Sequence, residues 1–352
     1  MSSKVQEAQE HVRAAEKYLK TSLMRWKADF DSAADEYSQA AQCYRIAREV
    51  QLARDCYVKA ADLYKKNKSL FHAAKALENV MILCKEHATD NQIYDWAMDA
   101  STLYQEHGSG DSAANILDKA AKILEPRSAE MAVKLYLHAA DVSSTESGQH
   151  QGAEYLSKAS RILVRLERYD EAMDSIRREI GFHQEAGNIG QIGRLCVVGV
   201  LIQLARGDVV AAEKVYKEWG NSCEAPEMTT IEQALQAFDE EDREAAQRAL
   251  SSPFIRSMDV DYARLATKIP LPQAIEPAPR AQVRPNAAPS YVSANAVADA
   301  EVTGTNVNAR PSASQGEPGI YSYPDEEDNE ESPYVAVTYG KKEQSDEEEE
   351  LC

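Results

Sequence analysis

The amino-acid sequence predicts an all-α protein in which helical hairpins stack into a solenoid. Two observations predict this fold class, a repeat of 40 residues and a scarcity of helix-breaking residues before position 270. Ala33, Ala73, Ala113 and Ala153 open equivalent segments and are each 40 residues apart. Only three of the 13 prolines precede position 270, which leaves room for long helices. A period of this length indicates an array of repeats.

Each repeat contains two amphipathic helices. In the first helix, Ala33 is followed by Tyr37, Ala40 and Tyr44, at steps that lie on one helical stripe, and the same steps recur 40 and 80 residues later. The second helix also recurs, as shown by Ala60, Leu63 and Tyr64 in one repeat and Ala100, Leu103 and Tyr104 in the next. One hairpin cannot bury its stripe alone, so neighbouring hairpins must share a core. The array is therefore predicted to be TPR-like, with the course of a right-handed superhelix.

The helices are predicted in a simple order. A first helix over 4–20 has an apolar side that begins at Val5 and ends at Leu19. The hairpin helices follow at roughly 32–48, 50–66, 70–87, 91–107, 111–124, 128–146, 150–166 and 169–186. Gly108, Gly148 and Gly187 close successive units, where a left-handed residue after the helix favours glycine.

Beyond Gly187 the apolar pattern loosens but stays helical. Helices are predicted over roughly 188–206 and 208–219, then from Thr229 or Thr230 to 238, over 242–250 and over 259–268. The chain is thus expected to comprise a repeat array at 1–187, a C-terminal helical bundle at 188–269 and a tail at 270–352.

The tail differs in composition from the rest of the chain. It holds ten of the 13 prolines, and from Tyr323 onward it has 12 Asp and Glu residues against two lysines. Such a segment cannot bury enough apolar area to offset its ordering entropy, so disorder is predicted for 270–352. An apolar Leu351 directly after an acidic run is an odd feature for a tail that only solubilises.

The segment 21–30 interrupts the helical pattern with large apolar residues. Leu23, Met24, Trp26 and Phe30 lie here among lysines and one arginine. Apolar side chains on a loop ringed by cations can enter the interface of an anionic membrane. Alternatively, Trp26 and Phe30 cover the end of the first repeat, as terminal segments of solenoids often do. The sequence leaves both interpretations open.

Charge and cysteine content restrict the class of protein. The formal net charge of −19 argues against nucleic acid as the main partner, because phosphate binding needs a basic surface. No stretch has the roughly 18 consecutive apolar residues of a membrane span. The six cysteines show no CxxC pair or metal-ligand spacing, and the first residues lack the apolar run of a signal peptide. A cytoplasmic protein with reduced thiols is expected.

No catalytic motif is found. The sequence has no GxxxxGK[ST], GxGxxG, GxSxG or HExxH, and its seven histidines are scattered among predicted helices. We therefore expect a protein that is not an enzyme and needs no cofactor or metal. A repeat array of this kind is typical of proteins that hold partners.

Basic residues recur at nearly the repeat spacing. Lys158 lies 39 residues after Lys119, and Arg161 lies 39 residues after Lys122. Such a stripe along one face of a solenoid would suit an elongated acidic partner. For any single lysine, an ordinary solvated helix surface is the simpler interpretation.

With these features in view, the chain resembles the soluble NSF attachment proteins, and among them the gamma type. The resemblance covers residues 10–268 and the extreme C-terminus. The residues that carry it are AEKYLKT at 15–21, WK at 26–27 with DSAA at 31–34, LFHAAKA at 70–76, LSKASR at 156–161, VAAE at 210–213, SPF at 252–254 with MD at 258–259 and DYA at 261–263, and the final Leu351-Cys352.

The resemblance implies a function. Members of the family coat assembled SNARE four-helix bundles of the syntaxin type and recruit the hexameric ATPase NSF, which disassembles the bundle in vesicle trafficking. It implies SNARE contacts by Lys119, Lys122, Lys158 and Arg161, membrane contacts by Leu23, Met24 and Trp26, and stimulation of NSF by Leu351. It also implies peripheral association with membranes of the secretory and endosomal pathway. The alternative is a generic TPR-like scaffold for acidic or phosphorylated peptides.

The long segment at 271–345 departs from the compact family pattern. It stands between the helical part and Leu351, which would make the NSF-facing end a flexible tether. Such a tether lengthens the reach of Leu351 without forbidding contact.

Overall fold

Consecutive helices joined by short turns form the structure. The protein, as a computed structural model, is described at residues 3–21, 26–144 and 149–272, and no strand occurs in these ranges. The helices are α1 (Ser3–Leu19), α2 (Phe30–Ile46), α3 (Val50–Lys66), α4 (Leu70–Cys84), α5 (Asp90–Glu106), α6 (Gly110–Leu124), α7 (Ala129–Ser144), α8 (Gln149–Arg165), α9 (Tyr169–Glu185), α10 (Ile189–Ala205), α11 (Val209–Trp219), α12 (Ala225–Asp239), α13 (Arg243–Leu250), α14 (Pro253–Ser257) and α15 (Val260–Lys268). The prediction of an all-α array of hairpins is confirmed.

Two helices differ from the prediction. Helix α12 begins at Ala225, several residues before the predicted start at Thr229 or Thr230. Pro226 lies in its first turn, where the missing N–H group would have no partner within the helix anyway. Helix α14 was not predicted, because five residues are too few to show a helical period. Its N-terminus is capped by Ser252, whose Oγ accepts a hydrogen bond from the N–H group of Ile255 at 3.3 Å.

The repeated small residues form the inner packing of the array. Ala33, Ala73 and Ala113 on the first helices of successive hairpins have no exposed surface. The same holds for the second helices, at Ala60, Ala100 and Ala140. A side chain of one carbon lets two helix axes come close, and larger neighbours then fill the remaining space.

The 40-residue period continues beyond the repeats that the sequence revealed. Gly193 on α10 lies 40 residues after Ala153. A Cβ atom at Gly193 would lie only 2.7 Å from the carbonyl oxygen of Ser222, so this contact is tighter than alanine allows. The pattern loosens in sequence here because α10 is buried nearly all round, which removes the contrast between its two faces.

Most turns between helices share one backbone motif. The second residue after the helix adopts a positive φ, and the next N–H group donates to a carbonyl five residues back, as in Ser109 to Tyr104 at 2.8 Å. Gly108 and Gly187 have the predicted left-handed conformation, and Gly148 lies outside the described residues. The same conformation is taken by non-glycine residues at Arg48, Lys68, Glu167 and Glu241.

The C-terminal helix α15 returns to the array. It packs against α8 and α10, and the hydroxyl groups of Tyr262 and Ser160 lie 2.9 Å apart in the buried contact. Lys268 pairs with Glu167 at 3.2 Å near the other end of α15. These helices fall within a compact unit that runs from Met1 to Ala278.

The domain boundaries at 187 and 269 remain predictions. Apart from its first three residues, the predicted tail at 270–352 lies outside the described residues. Within the described ranges, no helix combines the length and the apolar character needed to cross a membrane.

The left-handed turn at Lys68 leads to a prediction about stability. A residue with a side chain in this conformation costs roughly 1–2 kcal/mol. Replacement by glycine removes this cost, but glycine loses more conformational entropy on folding, which offsets part of the gain in stability. Lys68→Gly should therefore raise the free energy of unfolding by roughly 0.5–1 kcal/mol in a denaturant titration. The matched control is Lys66→Gly, in the last turn of α3, which should lower it by a similar amount. Destabilisation by both variants would contradict the prediction.

Candidate functional site

The four predicted SNARE-binding residues lie on first helices of successive hairpins. Lys119 and Lys122 are on α6, and Lys158 and Arg161 are on α8. Ion pairs on α4, α6 and α8 and at the end of α6 link the three lysines to acidic groups, and Arg161 lies on α8 beside them with its own partner on α15. We call this set of charged residues the charged ridge; its members are Lys75, Glu78, Asp118, Lys119, Lys122, Glu125, Glu154, Lys158, Arg161 and Arg165.

A buried carboxylate holds the first part of the charged ridge. Glu78 on α4 is only 4% exposed and accepts hydrogen bonds from Lys75 on its own helix and Lys119 on α6, both at 2.7 Å. The hydroxyl group of Tyr104 donates to the same carboxylate at 3.2 Å. Burial alone would raise the pKa of Glu78, but the two lysines hold that pKa below its usual value.

The arrangement repeats one hairpin further along. Asp118, 40 residues after Glu78, is buried on α6 and accepts from Lys122 at 2.5 Å and from Lys158 of α8 at 2.9 Å. Each buried carboxylate thus receives one lysine from its own helix and one from the next first helix. The signal was present in the sequence as two acidic residues 40 apart, but only the structure shows that both are buried.

Lys158 differs from the other lysines of the charged ridge. Its side chain is 16% exposed, and its ammonium group lies 2.7 Å from Glu154 and over the rings of Tyr136 and Tyr155 at 5.8 and 5.3 Å. Burial by itself would lower the pKa of Lys158, but its bonds to Glu154 and Asp118 raise it. The bond from Lys158 to Asp118 joins α8 to α6.

Arg161 is paired with the C-terminal helix. Its guanidinium group donates to the carboxylate of Asp259, the N-cap residue of α15, at 2.7 Å. Its neighbour Arg165 lies 3.7 Å from Asp261 and also pairs with Glu125. An acidic partner at this end of the charged ridge would have to compete with carboxylates of the chain itself.

A second acidic group near Arg161 carries little charge. Glu179 on α9 is buried, and burial raises its pKa to about 8, although Ser157 and Arg161 act in the opposite direction. At neutral pH the carboxyl group of Glu179 is therefore mainly protonated. The carboxylate that pairs with Arg161 is therefore that of Asp259.

Around Glu78 and Asp118 the charged ridge presents lysines outward and carboxylates inward, whereas the side chain of Glu154 is 65% exposed. The side chains of Lys119 and Lys122 are 43% and 58% exposed, whereas those of Glu78 and Asp118 are 5% and 9% exposed. These two buried carboxylates are paired with four lysines, so positive charge is in excess here. This part of the ridge can therefore attract an acidic surface.

The predicted membrane loop is closed at its base. The N–H group of Asp29 donates to the carbonyl oxygen of Tyr18 at 3.1 Å, and the Asp29 carboxylate caps α2 through the N–H group of Ser32. Trp26 is 88% exposed, whereas Phe30 is half-buried against the core. The interpretation of this segment as a cap therefore holds for Phe30 and is wrong for Trp26.

Three predicted site residues lie outside the described residues. They are Leu23 and Met24 of the membrane loop and the NSF-facing Leu351.

Comparison with known proteins identifies one family. The model of the family described as "Soluble NSF attachment protein, SNAP" matches residues 6–252. Among curated relatives, the gamma-soluble NSF attachment protein of Dictyostelium discoideum is 26% identical over 76% of this chain and 84% of its own length. That of Arabidopsis thaliana is 26% identical over 73% of this chain and 89% of its own.

Similarity to solved structures is weaker. The crystal structure of BtubC from P. vanneervenii matches with a TM-score of 0.32 and 14% identity, over 63% of this chain and 91% of that one. A score this low bears on neither fold nor function.

The buried carboxylate of Glu78 predicts a pH-dependent contribution to stability. Glu78→Gln should lower the free energy of unfolding at neutral pH by about 1.5–3 kcal/mol, the usual range for hydrogen bonds to charged groups. Because the pKa of Glu78 is lower in the folded protein than the unfolded value of 4.5, the contribution is full above 4.5 and is lost as the pH falls through the folded-state pKa. In denaturant titrations between pH 7 and 3, the difference in free energy of unfolding between the wild type and Glu78→Gln should shrink as the pH falls. For the exposed Glu86→Gln this difference should be almost zero at any pH. A difference for Glu78→Gln that is independent of pH would contradict this assignment.

Proposed function

The chain belongs to the soluble NSF attachment protein family, and we propose that it binds assembled SNARE four-helix bundles of the syntaxin type and recruits the hexameric ATPase NSF. Membership implies a role as an adaptor for SNARE proteins and NSF in vesicle trafficking. In this proposal the protein recognises the assembled bundle and not the separate SNARE chains, and Leu351 stimulates NSF. The protein acts on the cytoplasmic face of secretory and endosomal membranes.

The observation that supports bundle binding is the outward layer of lysines. Lys119 and Lys122 are exposed on α6, and their positive charges are fixed by carboxylates that remain buried beneath them. An acidic four-helix bundle offers carboxylates along its length, so it can meet this layer without displacing the buried acids.

The four predicted SNARE-binding residues contribute in different ways. Lys119 and Lys122 can contact the bundle directly because their side chains are accessible. Lys158 is nearly buried and acts by holding α6 against α8. Arg161 is partly exposed, and an acidic group of the bundle would share its guanidinium group with Asp259 or replace Asp259 there.

The membrane contact is supported by the exposure of Trp26. An indole ring with 88% of its surface exposed, between the exposed Lys20 and Lys27, matches the composition of an interfacial anchor on anionic lipid. The bond between Asp29 and Tyr18 fixes the base of the loop, so the ring projects from a defined place on the array.

A capture experiment tests the adaptor proposal. Immobilised SNARE bundles should retain the chain, which NSF and ATP should then release, and Leu351→Ala should retain capture but lose release. The double variant Lys119→Gln and Lys122→Gln should weaken capture roughly 2- to 30-fold, since each exposed pair is worth about 0.2–1 kcal/mol. Its salt dependence should be smaller than that of the wild type.

The double variant is designed to preserve the fold. Each buried carboxylate keeps its other lysine, Lys75 on Glu78 and Lys158 on Asp118. The matched control, Lys214→Gln with Lys217→Gln on α11, changes the net charge by the same amount at exposed positions elsewhere and should bind as the wild type does. Equal loss in both variants would show a nonspecific effect of charge. Capture of isolated acidic peptides, without capture of the bundle, would favour the scaffold alternative.

Vesicle flotation tests the membrane loop separately. Trp26→Ser should weaken binding to anionic vesicles about 10-fold or more, because burial of a large apolar side chain is worth about 1.5–3 kcal/mol. The melting temperature should stay unchanged, since Trp26 lies outside the core. The control is Ile189→Ser, which removes a side chain of 62% exposure on α10 and should not alter binding. Unchanged flotation of Trp26→Ser would refute the anchor.

A further inference from the structure

Three metal-ligating side chains converge between the first two helices. Glu7 and His11 on α1 and Cys43 on α2 each offer one ligand atom, and these atoms all lie within 4.8 Å of one another. We call these three residues the N-terminal cluster. It belongs neither to the charged ridge nor to the membrane loop.

The helical geometry explains how the cluster forms. Glu7 and His11 are four residues apart and so lie on the same face of α1. Helix α2 runs back along α1, which brings its last turns, with Cys43, level with the beginning of α1. No metal-ligand spacing marks this cluster in the sequence, because the donors come from two helices and Cys43 lies 32 residues after His11.

A fourth residue orients the histidine. The Nδ1 atom of His11 lies 2.7 Å from a carboxylate oxygen of Glu36 on α2. A carboxylate on one imidazole nitrogen fixes the ring and its tautomer, and leaves Nε2 to coordinate. This arrangement of carboxylate, imidazole and metal is the usual outer shell of a zinc-bound histidine.

We propose that the N-terminal cluster binds a divalent transition-metal ion, and that zinc is the ion it fits best. Thiolate, imidazole and carboxylate together form a borderline donor set that suits zinc better than magnesium or calcium. Three protein ligands leave one position of a tetrahedral ion for water or for a donor from a partner.

The spacing requires only small adjustments. Tetrahedral zinc with bonds of about 2.0–2.3 Å holds its ligand atoms about 3.3–3.6 Å apart. Side-chain rotations that move the three ligand atoms by about 1 Å would therefore bring them to this spacing. Lys4 pairs with one oxygen of Glu7 at 2.7 Å. The ion therefore either shares the Glu7 carboxylate with Lys4 or displaces it.

Binding would join α1 to α2 directly. These two helices flank the loop at 20–29, whose base is already closed by the bond between Asp29 and Tyr18. A metal bridge near the start of α1 would add a second fixed point, about three helical turns from that base. The proposal does not depend on the SNARE or NSF partners.

Cobalt substitution tests the proposal on the full-length chain. Titration of the reduced, metal-free protein with Co²⁺ should give one equivalent of bound ion with the absorption of a thiolate-to-cobalt charge transfer, and Zn²⁺ should displace it. Cys43→Ser should abolish this absorption, and His11→Gln should weaken binding. Glu36→Gln keeps all three ligands and should weaken binding about 10- to 100-fold, the usual effect of losing an outer-shell partner.

The matched control is Cys84→Ser, a buried cysteine on α4, which should bind cobalt as the wild type does. Circular dichroism in the presence of a chelator checks that each variant is folded. If Cys43→Ser does not fold, Glu36→Gln still tests the proposal. The absence of the charge-transfer absorption in the wild type would overturn the proposal. Its persistence in Cys43→Ser, or unchanged affinity in Glu36→Gln, would do the same.

Discussion

Close approach of helices at alanine is the constraint on which the structure depends. The alanines that recur every 40 residues are buried, so neighbouring helices meet at side chains of one carbon. Any larger residue at these positions would push two helices apart and change the rotation between successive hairpins. Gly193 shows the same constraint in a stricter form, because the backbone of Ser222 lies where a side chain would be. The surface presented to partners inherits its spacing from these contacts.

The charged ridge follows from that spacing. Buried carboxylates at equivalent repeat positions can reach lysines of the next first helix only because the helices lie at a fixed, short separation. Burial of Glu78 and Asp118 would be costly without partners, and each receives two lysines. The same bonds therefore satisfy the interior and fix the positions of charges on the outside. Structural and functional demands on these residues cannot be separated completely, and least of all at Lys158.

Much of the fold could be predicted from the sequence, since a period shared by alanines determines both the helices and their stacking. The course of α10 was harder to predict, because a helix buried nearly all round has no polar face to mark its period. The spacing of basic residues in the sequence indicated Lys119, Lys122, Lys158 and Arg161, whose role in SNARE binding stays a prediction. Their acidic partners were missed, because burial of Glu78 and the approach of Asp259 to Arg161 depend on contacts 41 and 98 residues apart. The N-terminal cluster could not be predicted for the same reason, since no local pattern records which helix faces meet.

The return of α15 has a consequence for how the chain folds. Most helices contact their immediate neighbours in sequence, so the array can form by successive local steps, each of which closes only a short loop. The contact between Ser160 and Tyr262 instead closes a loop of about 100 residues, which costs more entropy than closing one hairpin. The last hairpins are therefore held at both ends, whereas the first helices can fray individually. The cooperativity of unfolding should thus vary along the chain, and it should be highest in the part that α15 contacts, from α8 to α10.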